Sequence, residues 1–178
     1  MLSWHNNPAL KAEVVERMRE HRRQDTIVHM TYQDVTRKAI GYRGCFIGCT
    51  LPNMLKKRDR DLFTWSWHVE FQEYTGIPIR LAWLLEGVFE GLPTAGKVHA
   101  KFAVQIVEAI PVGVDLESVA DKFSHDRTWI FENPHEAAER FLRLFEELTP
   151  PPEPAPPLIQ HIDIPEPEPI LIRTVVNN

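Results

Sequence analysis

Pro78-Ile79-Arg80-Leu81-Ala82-Trp83-Leu84-Leu85-Glu86-Gly87-Val88-Phe89-Glu90-Gly91-Leu92-Pro93 decides the fold. Leu81, Leu84, Leu85 and Val88 recur at three- and four-residue steps, the spacing of one helix face. Pro78 suits a first helical turn, where its missing N–H costs nothing, and Gly91-Leu92-Pro93 stops the run. Trp83, Gly87 and Glu90 fall on the opposite side, with Glu86 adjacent. A glycine inside a helix costs about 1 kcal/mol relative to alanine, and here it leaves a notch beside the indole. Trp83, Glu86 and Glu90 therefore form a candidate binding patch.

The same grammar repeats outward. Asn7-Pro8 opens a helix, Asn as cap and Pro at the first position, followed by Leu10, Val14 and Met18 at four-residue steps. Ser66 to Tyr74 places Trp67, Phe71 and Tyr74 on one side, with Gly76 beyond its end. Thr94 is expected to cap a helix with Val98, Phe102, Ala103, Ile106 and Val107 inward. Asp115 is expected to cap another, and Asn133-Pro134 repeats the first opening. Six helices with short Pro/Gly joints predict a mainly all-α, bundle-like single domain over residues 1–149. Residues 26–40 read as either strand or helix, and Lys56 to Asp61 as a charged connector.

Nine of the 15 prolines lie between Pro150 and Pro169, so residues 150–178 read as a Pro-rich extended arm. Within it, Leu158–Ile164 and Ile170–Val176 are β-prone. Ile162, Ile164 and Ile172 are its candidate anchors for a protein partner or a second copy, by docking or strand addition.

Composition excludes several classes. The longest uninterrupted apolar run, Leu81 to Leu85, falls far short of the ~18 residues a membrane helix needs, and Met1-Leu2-Ser3-Trp4-His5 is no secretory leader. The expectation is a cytoplasmic protein. Residues 1–60 hold 12 Lys+Arg against 6 Asp+Glu, and the remainder holds 8 against 19. A basic first third admits a polyanion partner, although no nucleic-acid motif accompanies it. With only Cys45 and Cys49, four-cysteine zinc sites and iron–sulfur loops are excluded by counting, and no cofactor is called for. Gly91 to Val98 imitates a phosphate-binding loop but carries Val98 where a Ser or Thr must stand.

Cys45 and Cys49 lie four apart, so on a regular helix they share a face, with Gly44 placing Cys45 at its N-terminus. That admits a reactive thiol, a redox pair or half of a metal site, with His68 as the natural third member. The competing reading is two small core residues with Gly48 for close helix approach. His99, in the middle of an apolar arc, reads as a buried structural histidine. Three functions follow: first, a non-enzymatic interaction or regulatory protein acting through the arm and the Trp83 face; alternatively a small thiol, redox or metal-dependent enzyme using Cys45, Cys49 and His68; or a nucleic-acid-associated protein using the basic first third.

Gly44-Cys45-Phe46-Ile47-Gly48-Cys49-Thr50, His68, Gly76-Ile77-Pro78, Val88 to Pro93 and Ala109 to Leu116 together resemble a scattered group of short, uncharacterised bacterial and phage proteins. The likeness spans about residues 8–130 and implies a bacterial or phage origin and a cytoplasmic location, with no activity attached. That group commonly has an acidic residue where this chain has Gly87.

Overall fold

The computed structural model describes residues 1–53 and 64–149. The expected connector at Lys56–Asp61 and the arm, with Ile162, Ile164 and Ile172, lie outside the described residues. Eight α-helices follow in order: α1 (Pro8–Arg23), α2 (Phe46–Thr50), α3 (Thr64–Thr75), α4 (Ile79–Gly91), α5 (Val98–Ala109), α6 (Glu117–Ser124), α7 (Arg127–Glu132) and α8 (Pro134–Leu148). The mainly α class is as expected. The two additional helices, α2 and α7, are five and six residues long. Helices that short span fewer than two turns, so no apolar spacing recurs along them for the sequence to reveal.

Asn7 caps α1 as its position predicts, its Oδ1 accepting from the N–H groups of Ala9 and Leu10 at 3.0 and 3.2 Å. Thr94 makes no cap. A single 3-10 turn at Ala95–Lys97 intervenes, with Gly96 and Lys97 both at positive φ, so α5 starts only at Val98. Asp115 still serves α6, its Oδ1 accepting from the Glu117 N–H at 3.2 Å.

α4 is the central element. It packs against α2, α3, α5, α6, α7 and α8. Leu81, Ala82, Leu84, Leu85, Gly87, Val88 and Phe89 are all buried, so two faces are covered and not one. The Gly87 notch is filled: a methyl there would lie 2.8 Å from Cζ of Phe131, on α7. Trp83 is accordingly half-buried between neighbours.

Residues 26–45 resolve the sequence ambiguity as neither a long strand nor a helix. They form an irregular excursion with a two-residue antiparallel ribbon, β1 (Asp34–Val35) on β2 (Tyr42–Arg43). The Val28 N–H donates to the Gly44 carbonyl and the Gly44 N–H to that of Thr26, at 2.8 and 3.0 Å. No helix among the described residues is long and apolar enough to cross a membrane.

Candidate functional site

The Gly44-Cys45-Phe46-Ile47-Gly48-Cys49-Thr50 segment is built around a close backbone approach. The Tyr32 carbonyl lies directly on Gly44 and Gly48. A methyl at Gly48 would stand 2.5 Å from the Tyr32 carbonyl carbon, and nearer still to its oxygen. Gln33, buried alongside, donates from Nε2 to the carbonyls of Gly48 at 2.7 Å and Pro52 at 3.1 Å. The Cys45 N–H donates to the Thr31 carbonyl. The two glycines therefore admit the 31–33 chain rather than another helix, and that chain pins Cys45.

Cys45 is the residue preceding α2, with extended backbone. Its side chain leaves the helix and reaches α4, where the thiol donates to Glu86 Oε1 at 3.1 Å. Cys49 is inside α2 and turns elsewhere, its thiol donating to the Gly44 carbonyl at 3.2 Å. The expectation that the two share a face fails here because α2 begins only after Cys45.

On the far side of Glu86, Oε2 lies 2.6 Å from His68 Nε2 on α3. With a carboxylate as acceptor, the geometry assigns the proton to Nε2. His68 is 1% exposed, and its ring is stacked on that of Trp83 at a centroid separation of 4.0 Å and an interplanar angle of 4°. Trp83 thus fixes the imidazole plane.

Glu90, one turn after Glu86, completes the group. Cys45, Glu86 and Glu90 each present one donor atom within 4.8 Å of the others. The Glu90 carboxylate also accepts the Met30 N–H with both oxygens, at 3.0 and 3.1 Å. Met30 is held at φ 54°, an uncommon left-handed conformation for a side-chain-bearing residue, and it is exposed. Tyr32 stacks on Trp67 at 3.9 Å and donates to Glu70 Oε2 at 3.3 Å.

Burial, and then the Glu86 charge, push the Cys45 thiol well above its ordinary pKa, against a smaller downward pull from the Gly48 N–H. That corrects the expectation of a thiolate stabilised at a helix N-terminus: Cys45 is a protonated donor. Burial also raises Cys49. Glu90 is raised by burial first, with Glu86 adding repulsion and the Met30 N–H opposing both.

The sequence named Cys45, His68, Trp83, Glu86 and Glu90, and the fold gathers all five. Cys49 is left out. His99 is structural, its two ring nitrogens 3.2 and 3.3 Å from the carbonyls of Ile27 and Pro93. Met30 and Tyr32 were not foreseen. On the opposite flank of Trp83 lies a groove of about 430 Å³, lined by Ile79, Arg80, Trp83, Leu84, Ser124 and Arg127. In the basic first third, Arg17, Arg19, Arg23 and Arg43 are paired with Glu13, Glu108, Glu16 and Asp34. The site draws its thiol, imidazole and two carboxylates from the residue before α2, from α3 and from α4. No family model, curated protein or solved structure matches the chain.

Proposed function

We propose that the protein is a small enzyme whose reaction centre is the His68–Glu86–Cys45 relay with Glu90 beside it. One observation carries this reading: a half-buried carboxylate held on one oxygen by a buried imidazole and on the other by a buried thiol. Burying such groups costs stability unless every partner is in place, and proteins concentrate them where chemistry is done. Two reaction classes lose support. A thiolate nucleophile needs a depressed thiol pKa, and Cys45 is shifted the other way. A dithiol redox couple needs a second sulfur, and the Cys49 thiol is engaged with the Gly44 carbonyl. Hydrolysis at a centre built on the Glu86 and Glu90 carboxylates remains.

The experiment is a substrate panel of carboxylic esters, phosphoesters and peptides, run with wild-type protein, Glu86→Gln and His68→Asn. Loss of a positioned acid or base lowers turnover about 10²–10⁴-fold. Turnover that Glu86→Gln leaves intact, or none on any class, removes the reading.

A second reading has its own observation in the apolar groove beside Trp83. On it, the Trp83 face and the arm bind a protein partner, which makes this an interaction protein. Pull-downs with the full chain and with a chain ending at Thr149 separate the two. A partner captured by both chains through Arg127, at the groove rim, discards the arm and keeps the face.

A further inference from the structure

We infer that Cys45 Sγ, Glu86 and Glu90 ligate a single divalent ion of the zinc class, with His68 holding Glu86 from behind and the fourth position left to water. The inference rests on reading this cluster as a reaction centre and supplies the cofactor for it.

The donor set is the first argument. It is not a patch of surface acids: it combines a thiol and two carboxylates from two separate parts of the chain, and Cys45 is 3% exposed. Thiolate is a soft ligand that selects zinc and its neighbours over magnesium or calcium, which prefer six or more oxygens.

Distances are the second argument. A tetrahedral zinc with Zn–S about 2.3 Å and Zn–O about 2.0–2.2 Å sets its donors roughly 3.4–3.6 Å apart. Cys45 Sγ and Glu86 Oε1 stand 3.1 Å apart, and the third donor lies within 4.8 Å of both. Side-chain torsions alone bring such a triangle to bonding distance, because the backbones are already held. Cys45 is tied through its N–H to Thr31, and Glu86 and Glu90 are successive turns of the most enclosed helix.

The outer shell is the third argument. Metal-binding carboxylates are themselves hydrogen-bonded by groups fixed in orientation. His68 meets that need: Nε2 lies 2.6 Å from the Glu86 oxygen that faces away from Cys45, and Trp83 clamps its ring. Met30 does the same for Glu90 through its backbone N–H. Three protein ligands and one open position describe a catalytic zinc site, whereas structural sites close with four.

Binding is proton-balanced. The Cys45 S–H bond breaks, Sγ bonds the ion, and the proton leaves to solvent. Each ion bound therefore releases the Cys45 proton.

The test uses the full chain, stripped with chelator and titrated separately with zinc and cobalt(II) at neutral pH. One equivalent of each binds, and the cobalt form shows a thiolate-to-cobalt charge-transfer band in the near ultraviolet. Cys45→Ser and Glu90→Gln each weaken zinc by about 100-fold or more, His68→Asn by about 10–100-fold, and Cys49→Ser by less than about 3-fold. The wild-type cobalt spectrum decides the matter even where a variant fails to fold. No stoichiometric zinc, cobalt without the thiolate band, or magnesium bound in preference to zinc overturns the inference. Zinc bound by a protein with no turnover sinks the enzyme reading and leaves this one standing. Turnover lost in Glu86→Gln with no metal bound does the reverse.

Discussion

Replacing Gly48 by alanine tests how Cys45 is held. Helix propensity alone favours the change by about 1 kcal/mol, since Gly48 lies inside α2 with ordinary helical backbone. The new methyl would stand 2.5 Å from the Tyr32 carbonyl carbon and 3.3 Å from Gln33 Cγ. Carbon atoms need about 3.5–4.0 Å and the Tyr32 carbonyl oxygen is closer still, so the 31–33 chain must retreat by well over about 1 Å. That retreat breaks the Gln33 amide bonds to Gly48 and Pro52 and the Cys45 N–H bond to Thr31. Three bonds at about 1 kcal/mol each, more where a group is left buried and unpaired, exceed the propensity gain and leave a net loss of about 2–3 kcal/mol. For a domain of this size that is a fall in Tm of roughly 4–12 °C. Urea and thermal unfolding of the two proteins measure it, with Gly96→Ala as control. Gly96 sits at φ 66° with nothing within 4 Å of the new methyl, so only the left-handed backbone is penalised, by about 1–2 kcal/mol. A Gly48→Ala protein as stable as wild type would refute the claim that the Tyr32 carbonyl sets this position.

Two further outcomes follow from buried groups. His21 is fully buried, accepts or donates through Nδ1 at 2.8 Å to Thr26 Oγ1, and has its pKa lowered from 6.5 to about 4, by burial first and the Arg17 charge second. A base depressed on folding stays neutral in the native state. Its contribution is therefore intact above pH 6.5, is lost as pH falls from 6.5 towards 4, and then levels off, a total of about 3 kcal/mol. Urea unfolding across that window, compared with His21→Met, reads it as a slope the variant lacks. Cys45 and Cys49 are both buried and shifted upward, so a thiol reagent at neutral pH labels the metal-free native protein about 100-fold more slowly than free cysteine. Labelling at the rate of an exposed thiol contradicts the placement of Cys45 against Glu86.

What sequence makes legible here is whatever depends on local period and punctuation. Leu81, Leu84, Leu85 and Val88, Asn7-Pro8 and Gly91-Leu92-Pro93 each act within a few residues, and α1 and α4 sit where they predict; α8 starts at Pro134 as expected, but the Asn133 side chain makes no cap and donates instead to the Trp129 carbonyl. The site was legible only as parts. Cys45 and His68 were grouped with Cys49, and Glu86 and Glu90 with Trp83, because sequence spacing is evidence of proximity only inside one regular element. Cys45 lies one residue outside a five-residue helix, which breaks the four-residue rule that linked it to Cys49. Glu86 joins Cys45 to His68 only once α2 and α3 have both packed on α4. Met30 and Tyr32 act through backbone groups in an irregular segment, and a backbone N–H or C=O leaves no mark on residue type. Gly48 did signal a close approach, but of a helix rather than of the 31–33 chain that makes it.

Stability distinguishes a centre kept for chemistry from one kept for folding. A thiol, a carboxylate and an imidazole held together in a helical core are desolvated at a cost that their mutual bonds do not reliably recover. Apolar replacements of similar shape then equal or exceed the original stability, whereas removing one partner strands the others. The combined Cys45→Val, His68→Phe, Glu86→Leu protein is therefore expected to unfold at or above the wild-type urea midpoint, while Glu86→Leu alone loses about 1–3 kcal/mol by removing the carboxylate that the Cys45 thiol and His68 Nε2 share. Trp83 already presents its ring face to position 68, so a phenyl ring there keeps the stack that the imidazole makes. The metal-binding and turnover assays must fall to zero in the combined variant. If instead it unfolds several kcal/mol below wild type, the network is holding the helices together, and its arrangement calls for no chemistry to explain it.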